Sequence, residues 1–362
     1  MIMTVSTVKD NLGNIQRFVT GNLASGVDHM LVFLDQAEPE VEAWLAEQGD
    51  VTAIVTDKSW WKGRRPARLN LRQNINANLA LAAVEKVDGV EWLFHVDADE
   101  VVHLDRAVLD AVPDDVKVVN LRPLEVVGVL EPQGPPTLFK RLLTDGELQL
   151  VVALGLLEEP TNPRYFRSHI AGKMGVRPGS DRFLEIHMAT DGQGVRKRPH
   201  RAAGLEMLHY EAFSGAEFVR KWTNMISSGP SMHFGDERMA LATALQTLVE
   251  LDIPADVRTQ HLETFYQRHM ADPVEELDSL GLLEDIDPTQ GSHRPVSLTS
   301  SQRNDLQSAL KSIRTQDKRT FMPPRAKLRI EEQGEEKRPA EEKKAEPLTG
   351  IRKVLGRRNR IT

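Results

Sequence analysis

From Met3 to Asp99 the chain alternates short apolar, β-branched runs with segments of helical spacing, and three of the apolar runs end on carboxylates. Met3 to Val8 reads as a buried strand, followed by a helix from Leu12 to Ala24 that ends near Gly26. Met30 to Leu34 is a second strand closing on Asp35. Pro39 to Gln48 is a short helix entered at proline. Val51 to Val55 is a third strand closing on Asp57, and a long helix runs from about Ala67 to Val87. Glu91 to Val96 is a fourth strand, leading into Asp97-Ala98-Asp99-Glu100. This order predicts a mostly parallel sheet flanked by helices, with ligands at the carboxyl ends of the strands.

Val116 to Leu121 is a fifth strand and Glu131 to Pro136 a Pro/Gly-rich loop. Residues 137–215 mix short apolar runs with glycines and basic residues. Helical spacing returns from Ala216 to about Met270. From about Gln316 the chain is rich in Glu and Lys, as expected of a disordered tail, and it ends in a basic segment, Arg352 to Arg360. The predicted division is a strand–helix domain over 1–225, a helical region over 226–315 and a charged tail over 316–362.

Composition removes several function classes. With 40% hydrophobic and 27% charged residues the chain belongs among globular proteins. A net charge of -7 argues against a nucleic-acid partner. The absence of cysteine excludes disulfides, zinc–thiolate sites and thiol nucleophiles. No signal-peptide pattern and no membrane span is read in the sequence, so the expected location is cytoplasmic.

Asp97 and Asp99 carry the chemistry. Two carboxylates at the end of a buried strand repel one another and are costly to desolvate without a cation. Mg²⁺ or Mn²⁺ takes oxygen ligands and leaves positions open for substrate phosphates, and it stabilises charge growing on a leaving diphosphate. Asp97 to Val101 also fits the Asp-x-Asp-x-Val pattern of haloacid-dehalogenase-like phosphatases. In that family the motif ends the first strand, whereas here three strand–helix units precede it.

Four ordered blocks carry a resemblance. They are Val8-Lys9-Asp10-Asn11 with Gly26 to Asp35; Arg72-Gln73-Asn74-Ile75-Asn76; Trp92 to Glu100; and His209-Tyr210 with Ser214, Glu217-Phe218 and Lys221. In these the chain resembles GT-A glycosyltransferases, of the family 2-like and family 92-like bacterial group, over roughly residues 4–225. It departs from that group in having Leu12 where relatives often carry Glu. The resemblance implies a GT-A-type fold, a nucleotide-sugar donor with UDP favoured, and a hydroxyl acceptor on a glycan or lipid.

By that resemblance Asp10 binds the donor, Asp35 lies near its nucleoside end and Asp57 contacts its base or ribose. Arg72 and Asn76, four apart on one helix face, point at the diphosphate or hold the metal loop. Lys173 and Lys221 neutralise the leaving phosphates, with Asp97 beside them. The metal shell is Asp97, Asp99 and His209, with His187 as the alternative histidine. Glu100 either ligates or supports.

An inverting enzyme needs a base, for which Glu125, Asp181 and Glu185 are undistinguished candidates. Trp60 and Trp61, among Lys62, Arg64 and Arg65, are candidates for a stacking lid. The basic end, Ile351 to Arg360, is a candidate for peripheral contact with an anionic membrane. Two rival readings stand beside the transferase: a protein that binds a nucleotide sugar without turnover, and a phosphatase with Asp97 as nucleophile.

Overall fold

The computed structural model describes residues 1–36, 38–211, 213–227, 236–291 and 293–333. The first half follows the expected alternation: β1 (Ile2–Val8), α1 (Leu12–Ala24), β2 (His29–Leu34), α2 (Pro39–Ala46), β3 (Val51–Val55), α3 (Leu69–Val84) and β4 (Trp92–His95). Strands β3-β2-β1-β4 pair in parallel in that order. All of β1 and β2 is buried, so both faces of these strands carry packed side chains. Met3 and Val5 face one apolar layer with Leu31 and Phe33, while Ile2 and Val8 face the other with Met30 and Val32. Asn11 caps α1 by accepting from the Asn14 N–H, and Ile15, Phe18 and Val19 form its buried face.

Beyond β4 the sheet changes character. Next along the chain come β5 (Glu100–Leu104), α4 (Arg106–Asp110), β6 (Val118–Val126), β7 (Leu138–Lys140), α5 (Asp145–Ala153), α6 (Asn162–Tyr165) and β8 (Lys173–Val176). The hairpin β9 (Phe183–Leu184) and β10 (Ala189–Thr190) precedes β11 (Leu205–His209). Strand β8 lies antiparallel between β4 and β6, and β7 continues antiparallel to β6. The expectation of a mostly parallel sheet therefore holds for the first four strands, and the sheet as a whole is mixed. Strand β5, which the sequence pattern did not predict, pairs antiparallel with β11, and β11 runs parallel to β6.

The C-terminal part holds α7 (Gly215–Ser227), α8 (Asp236–Glu250), α9 (Ala255–His269), α10 (Val274–Ser279), β12 (Leu283–Asp285), α11 (Ser300–Arg314) and α12 (Pro324–Gln333). It is joined to the sheet, because β12 pairs with β7. Helix α11 packs on α3, and Leu306, Ile313, Met322 and Ala326 share an apolar cluster with Ile75, Leu79 and Ala83. That contact corrects the start of the expected tail. Residues 318–321 form a 3₁₀ turn and 324–333 a helix, held by apolar side chains that stand out from a charged background. Residues 334–362, including the basic end, lie outside the described residues. Among the described residues no helix is long and apolar enough to cross a membrane.

Candidate functional site

The carboxylates after β4 are fixed by a tight turn. The Asp97 N–H donates to Glu100 Oε2 at 2.7 Å and the Glu100 N–H to Asp97 O at 3.1 Å. Glu100 opens β5, which Asn22 of α1 anchors by donating to Glu100 O and accepting from the Val102 N–H. The β5–β11 register sets His209 opposite Glu100, and the Tyr210 N–H donates to Asp99 O. A histidine more than a hundred residues downstream is thus delivered to the acidic turn by strand pairing.

Two lysines occupy the acidic turn with it. Lys173 Nζ lies 2.5 Å from Asp97 Oδ2 and 3.4 Å from Glu100 Oε2. Lys221 Nζ lies 2.8 Å from Asp99 Oδ2 and 3.0 Å from Glu211 Oε2, and His209 Nε2 is 3.8 and 3.7 Å from the same two oxygens. Burial opposes the charge on Glu100, but Lys173, His169 and His209 pull its carboxyl well below the ordinary glutamate range. Burial likewise opposes the charge on Asp99, and Lys221 with His209 lowers it. Burial would lower Lys173, but Asp97 and Glu100 raise it. Gly172 sets the chain for Lys173: its φ is 70°, and a Cβ there would meet Leu121 O at 2.0 Å.

A third wall is the loop before β8. Glu125, at the end of β6, accepts from the backbone N–H groups of Arg167 and Ser168 at 2.6 and 2.7 Å. Ser168 Oγ meets His209 Nδ1 at 2.9 Å, which leaves the Nε2 edge toward the carboxylates. The His169 ring lies 3.9 Å from that of His187 and 5.2 Å from that of His209. His187 Nδ1 is 3.2 Å from Gly172 O. Two ligand groups emerge, Asp99–His209–Glu211 and Glu100–His169–His209, each with its ligand atoms within 4.8 Å of one another.

The residues expected toward the nucleoside end divide between other clusters. Asp35 is gripped by two guanidiniums: Arg65 Nη2 at 2.8 Å and Arg72 Nη2 at 2.8 Å. Arg72 therefore serves Asp35 and not the metal loop. Asn76 donates to Thr7 Oγ1 at 3.0 Å, and the contact to the metal loop comes from Gln73, whose Nε2 donates to Asp97 Oδ1 at 2.5 Å. Asp57 is exposed and caps the following turn through the Ser59 hydroxyl and the Trp60 N–H. Asp10 pairs with Arg220 Nη1 at 3.0 Å, beside Asn14.

The base candidates and the lid fare differently. Glu125 is buried against Lys140 at 2.9 Å, with Asp272 3.0 Å from the same ammonium, so its carboxylate is committed to holding the 167–168 loop. Asp181 lies in an exposed turn at φ 50°. Glu185 is buried, and its carbonyl lies 3.3 Å from His95 Nδ1. Trp60 and Trp61 are core residues, not a lid: they are 1% and 3% exposed and pack with Phe33 and α3.

The sequence reading missed Gln73, His169 and Glu211 as site residues. Gln73 lay inside a block already singled out and Glu211 directly follows His209-Tyr210. His169 carries no local signal, because contacts from distant segments, Glu125 and His209 among them, bring its loop to the acidic turn.

No protein-family model matches the chain, and no curated protein matches it. Among solved structures it is similar to S. aureus TarS 1-349 at 12% identity, covering 90% of this chain and 82% of that one, with a TM-score of 0.32. Glucosyl-3-phosphoglycerate synthase from Mycobacterium tuberculosis, in complex with phosphoglyceric acid, is 15% identical over 56% of this chain and 73% of that one, at 0.27. Galactosyltransferase LgtC, in complex with donor and acceptor sugar analogues, is 15% identical over 48% and 57%, at 0.24. At such scores the likeness is partial.

Proposed function

We propose that this chain is a divalent-metal-dependent glycosyltransferase that takes a nucleoside-diphosphate sugar, UDP-linked first, and transfers the sugar to a hydroxyl of a glycan or lipid-linked acceptor. The observation that carries this reading is the charge balance after β4. Asp97, Asp99, Glu100 and Glu211 pair with the ammonium groups of Lys173 and Lys221, and beyond these with the imidazoles of His169 and His209. Four carboxylates against two ammonium groups leave a formal excess of two negative charges, the charge of one divalent ion.

The residues fit such an ion. Glu100 Oε1 is a buried carboxylate oxygen with no hydrogen bond among the described residues, and His209 presents Nε2 to both ligand groups. A divalent ion bound there would supply positive charge to a leaving diphosphate. Asp97 is the less suited ligand, since Gln73 and Lys173 engage both of its oxygens. The same engagement disfavours Asp97 as a phosphatase nucleophile.

The remaining roles belong to the chain's own groups. Arg65, one-third exposed beside buried Asp35, offers a guanidinium edge at the end of β2 for the nucleoside end of the donor. Lys173 and Lys221 hold the acidic turn in one shape before the donor arrives, so little reorganisation accompanies transfer. Calorimetric titration of UDP, GDP and CDP, with and without Mn²⁺, on wild type and Asp99→Ala tests the reading. Metal-dependent binding of one diphosphate, lost in the variant, is expected. Absence of binding by every diphosphate, in folded protein with metal present, sinks it. Sugar release from the matching donor separates a transferase from a protein that binds without turnover.

A further inference from the structure

His209 belongs to both ligand groups, and the two differ in whether a cation already serves their oxygens. In the Asp99–His209–Glu211 group, Lys221 Nζ sits 2.8 and 3.0 Å from the two carboxylates. An ion entering there must displace an ammonium. In the Glu100–His169–His209 group, Lys173 stands 3.4 Å from Glu100 Oε2, while Oε1 is turned the other way, toward His169 Nε2 at 3.5 Å. Glu100 is 0% exposed, and Oε1 makes no hydrogen bond among the described residues. A buried acceptor left so costs about 1–3 kcal/mol, more when charged, and a bound cation removes that cost.

His209 is the more firmly held of the two imidazoles, since His169 Nδ1 has no hydrogen bond among the described residues. His209 Nδ1 is taken by Ser168 Oγ, which leaves Nε2 as the ligand atom. His169 follows Ser168 on the loop that Glu125 fixes through two backbone N–H groups, and the His187 ring packs against it at 3.9 Å. Bonds of about 2.1 Å place ligand atoms about 3–3.5 Å apart, so side-chain shifts of about an ångström close the 4.8 Å group around an ion.

We infer that Glu100 Oε1 with the imidazoles of His169 and His209 forms a divalent-ion seat whose one-oxygen, two-nitrogen donor set favours Zn²⁺ or Co²⁺ over Mn²⁺, and all three over Mg²⁺. Imidazole suits zinc and the later first-row ions, whereas Mg²⁺ demands an octahedron of oxygens. The seat deepens the transferase reading by assigning its ion, and it rests on that reading only for the ion's place beside a donor.

The test uses the full chain, stripped of metal by dialysis against chelator and titrated with Co²⁺. The visible d–d spectrum and the hyperfine-shifted exchangeable imidazole protons are recorded, followed by competition with Zn²⁺, Mn²⁺ and Mg²⁺. One bound Co²⁺ is expected, with at least two shifted imidazole N–H protons, displaced by Zn²⁺ at least about tenfold more readily than by Mn²⁺. His169→Gln is expected to weaken Co²⁺ by about tenfold or more, and by more than Glu211→Gln does. One shifted imidazole, or loss in Glu211→Gln with retention in His169→Gln, places the ion in the oxygen-rich group and overturns the inference. So does failure of the wild type to bind Co²⁺ and Zn²⁺. The proton count needs no variant, so a misfolded substitution does not stall the test. Ion binding of the expected kind without binding of any nucleoside diphosphate sinks the transferase reading and leaves this one standing.

Discussion

Arg72 and Gln73, consecutive on α3, hold the carboxylates at the ends of two different strands: Arg72 Nη2 donates to Asp35 Oδ2 at 2.8 Å and Gln73 Nε2 to Asp97 Oδ1 at 2.5 Å. Strands β2 and β4 flank β1, and one turn further along the helix Asn76 donates to Thr7 of β1. The first turn of the helix therefore sits at the ends of the parallel strands, with successive side chains, about 100° apart, directed left and right of β1, and the chain just past its far end meets the start of β1, where the Met1 ammonium donates to Gly89 O.

Removing the inner of the two guanidiniums on Asp35 is expected to cost far more than removing the outer. Arg72 and Asp35 are both almost fully buried, and Arg72→Met leaves a desolvated carboxylate with one partner, at about 3 kcal/mol. Arg65 is one-third exposed, and Arg65→Met is expected to cost about 1 kcal/mol or less. Urea midpoints of the two variants check the order, and equal losses would contradict it.

Gln73 is a positioning residue for Asp97, and Gln73→Ala separates site geometry from stability. The fold is expected to lose about 1.5–3 kcal/mol, one hydrogen bond to a charged group. Metal-dependent nucleoside-diphosphate affinity is expected to fall about tenfold, equivalent to about 1.4 kcal/mol. Calorimetry beside a thermal melt reads both, and an unchanged affinity would remove Gln73 from the site.

Lys173→Met leaves Asp97 and Glu100 without the ammonium they share. The expected loss at neutral pH is about 3–5 kcal/mol, the cost of breaking a buried pair. The sign with pH is distinctive. Without Lys173, burial pushes the Glu100 carboxyl up in the folded state, so the folded state takes up a proton first and the variant recovers stability as pH falls into the carboxylate range. Denaturant curves at pH 7 and 4.5 should show the gap to wild type narrowing. A gap independent of pH would mean that Lys173 acts through packing alone.

Glu125 gives the opposite slope. Burial alone would raise its carboxyl, but Lys140, the Ser168 contact and the Arg167 N–H bring it from the ordinary 4.5 down to about 2. A folded value below the unfolded one means that stability is fully present above pH 4.5 and is lost as pH falls toward 2. The stability difference between wild type and Glu125→Gln is expected to shrink through that window, and a constant difference would show that the Lys140 pair contributes nothing through charge.

The sequence was most informative where contacts are local. The alternation up to β4, the carboxylates at the strand ends and the bounds of α1 follow from neighbouring residues, and the structure places them where the pattern predicts. What stayed hidden depends on pairing between distant segments. Glu100-Val101-Val102 gives no sign that it opens a strand until β11 is set beside it, and the register of that ladder is what carries His209 to Asp99. Trp60 and Trp61 looked like surface residues because three basic side chains follow them, yet the loop turns their rings inward while the charges stay outside. Met322 and Ala326 were lost against the charged residues around them. Their partners are on α3, more than two hundred residues earlier.

With its other side packed under α11 and residues 322 and 326, α3 behaves as a ruler laid along β1, its first marks at the strand ends. The separation of Asp35 and Asp97 is set by two successive graduations on that ruler. A pocket bounded by free loops can stretch or contract around a longer or shorter guest. Here the spacing of the two contacts is fixed by helical geometry, so altering it means exchanging the side chains at 72 and 73 themselves, while Arg65 belongs to the loop before the helix.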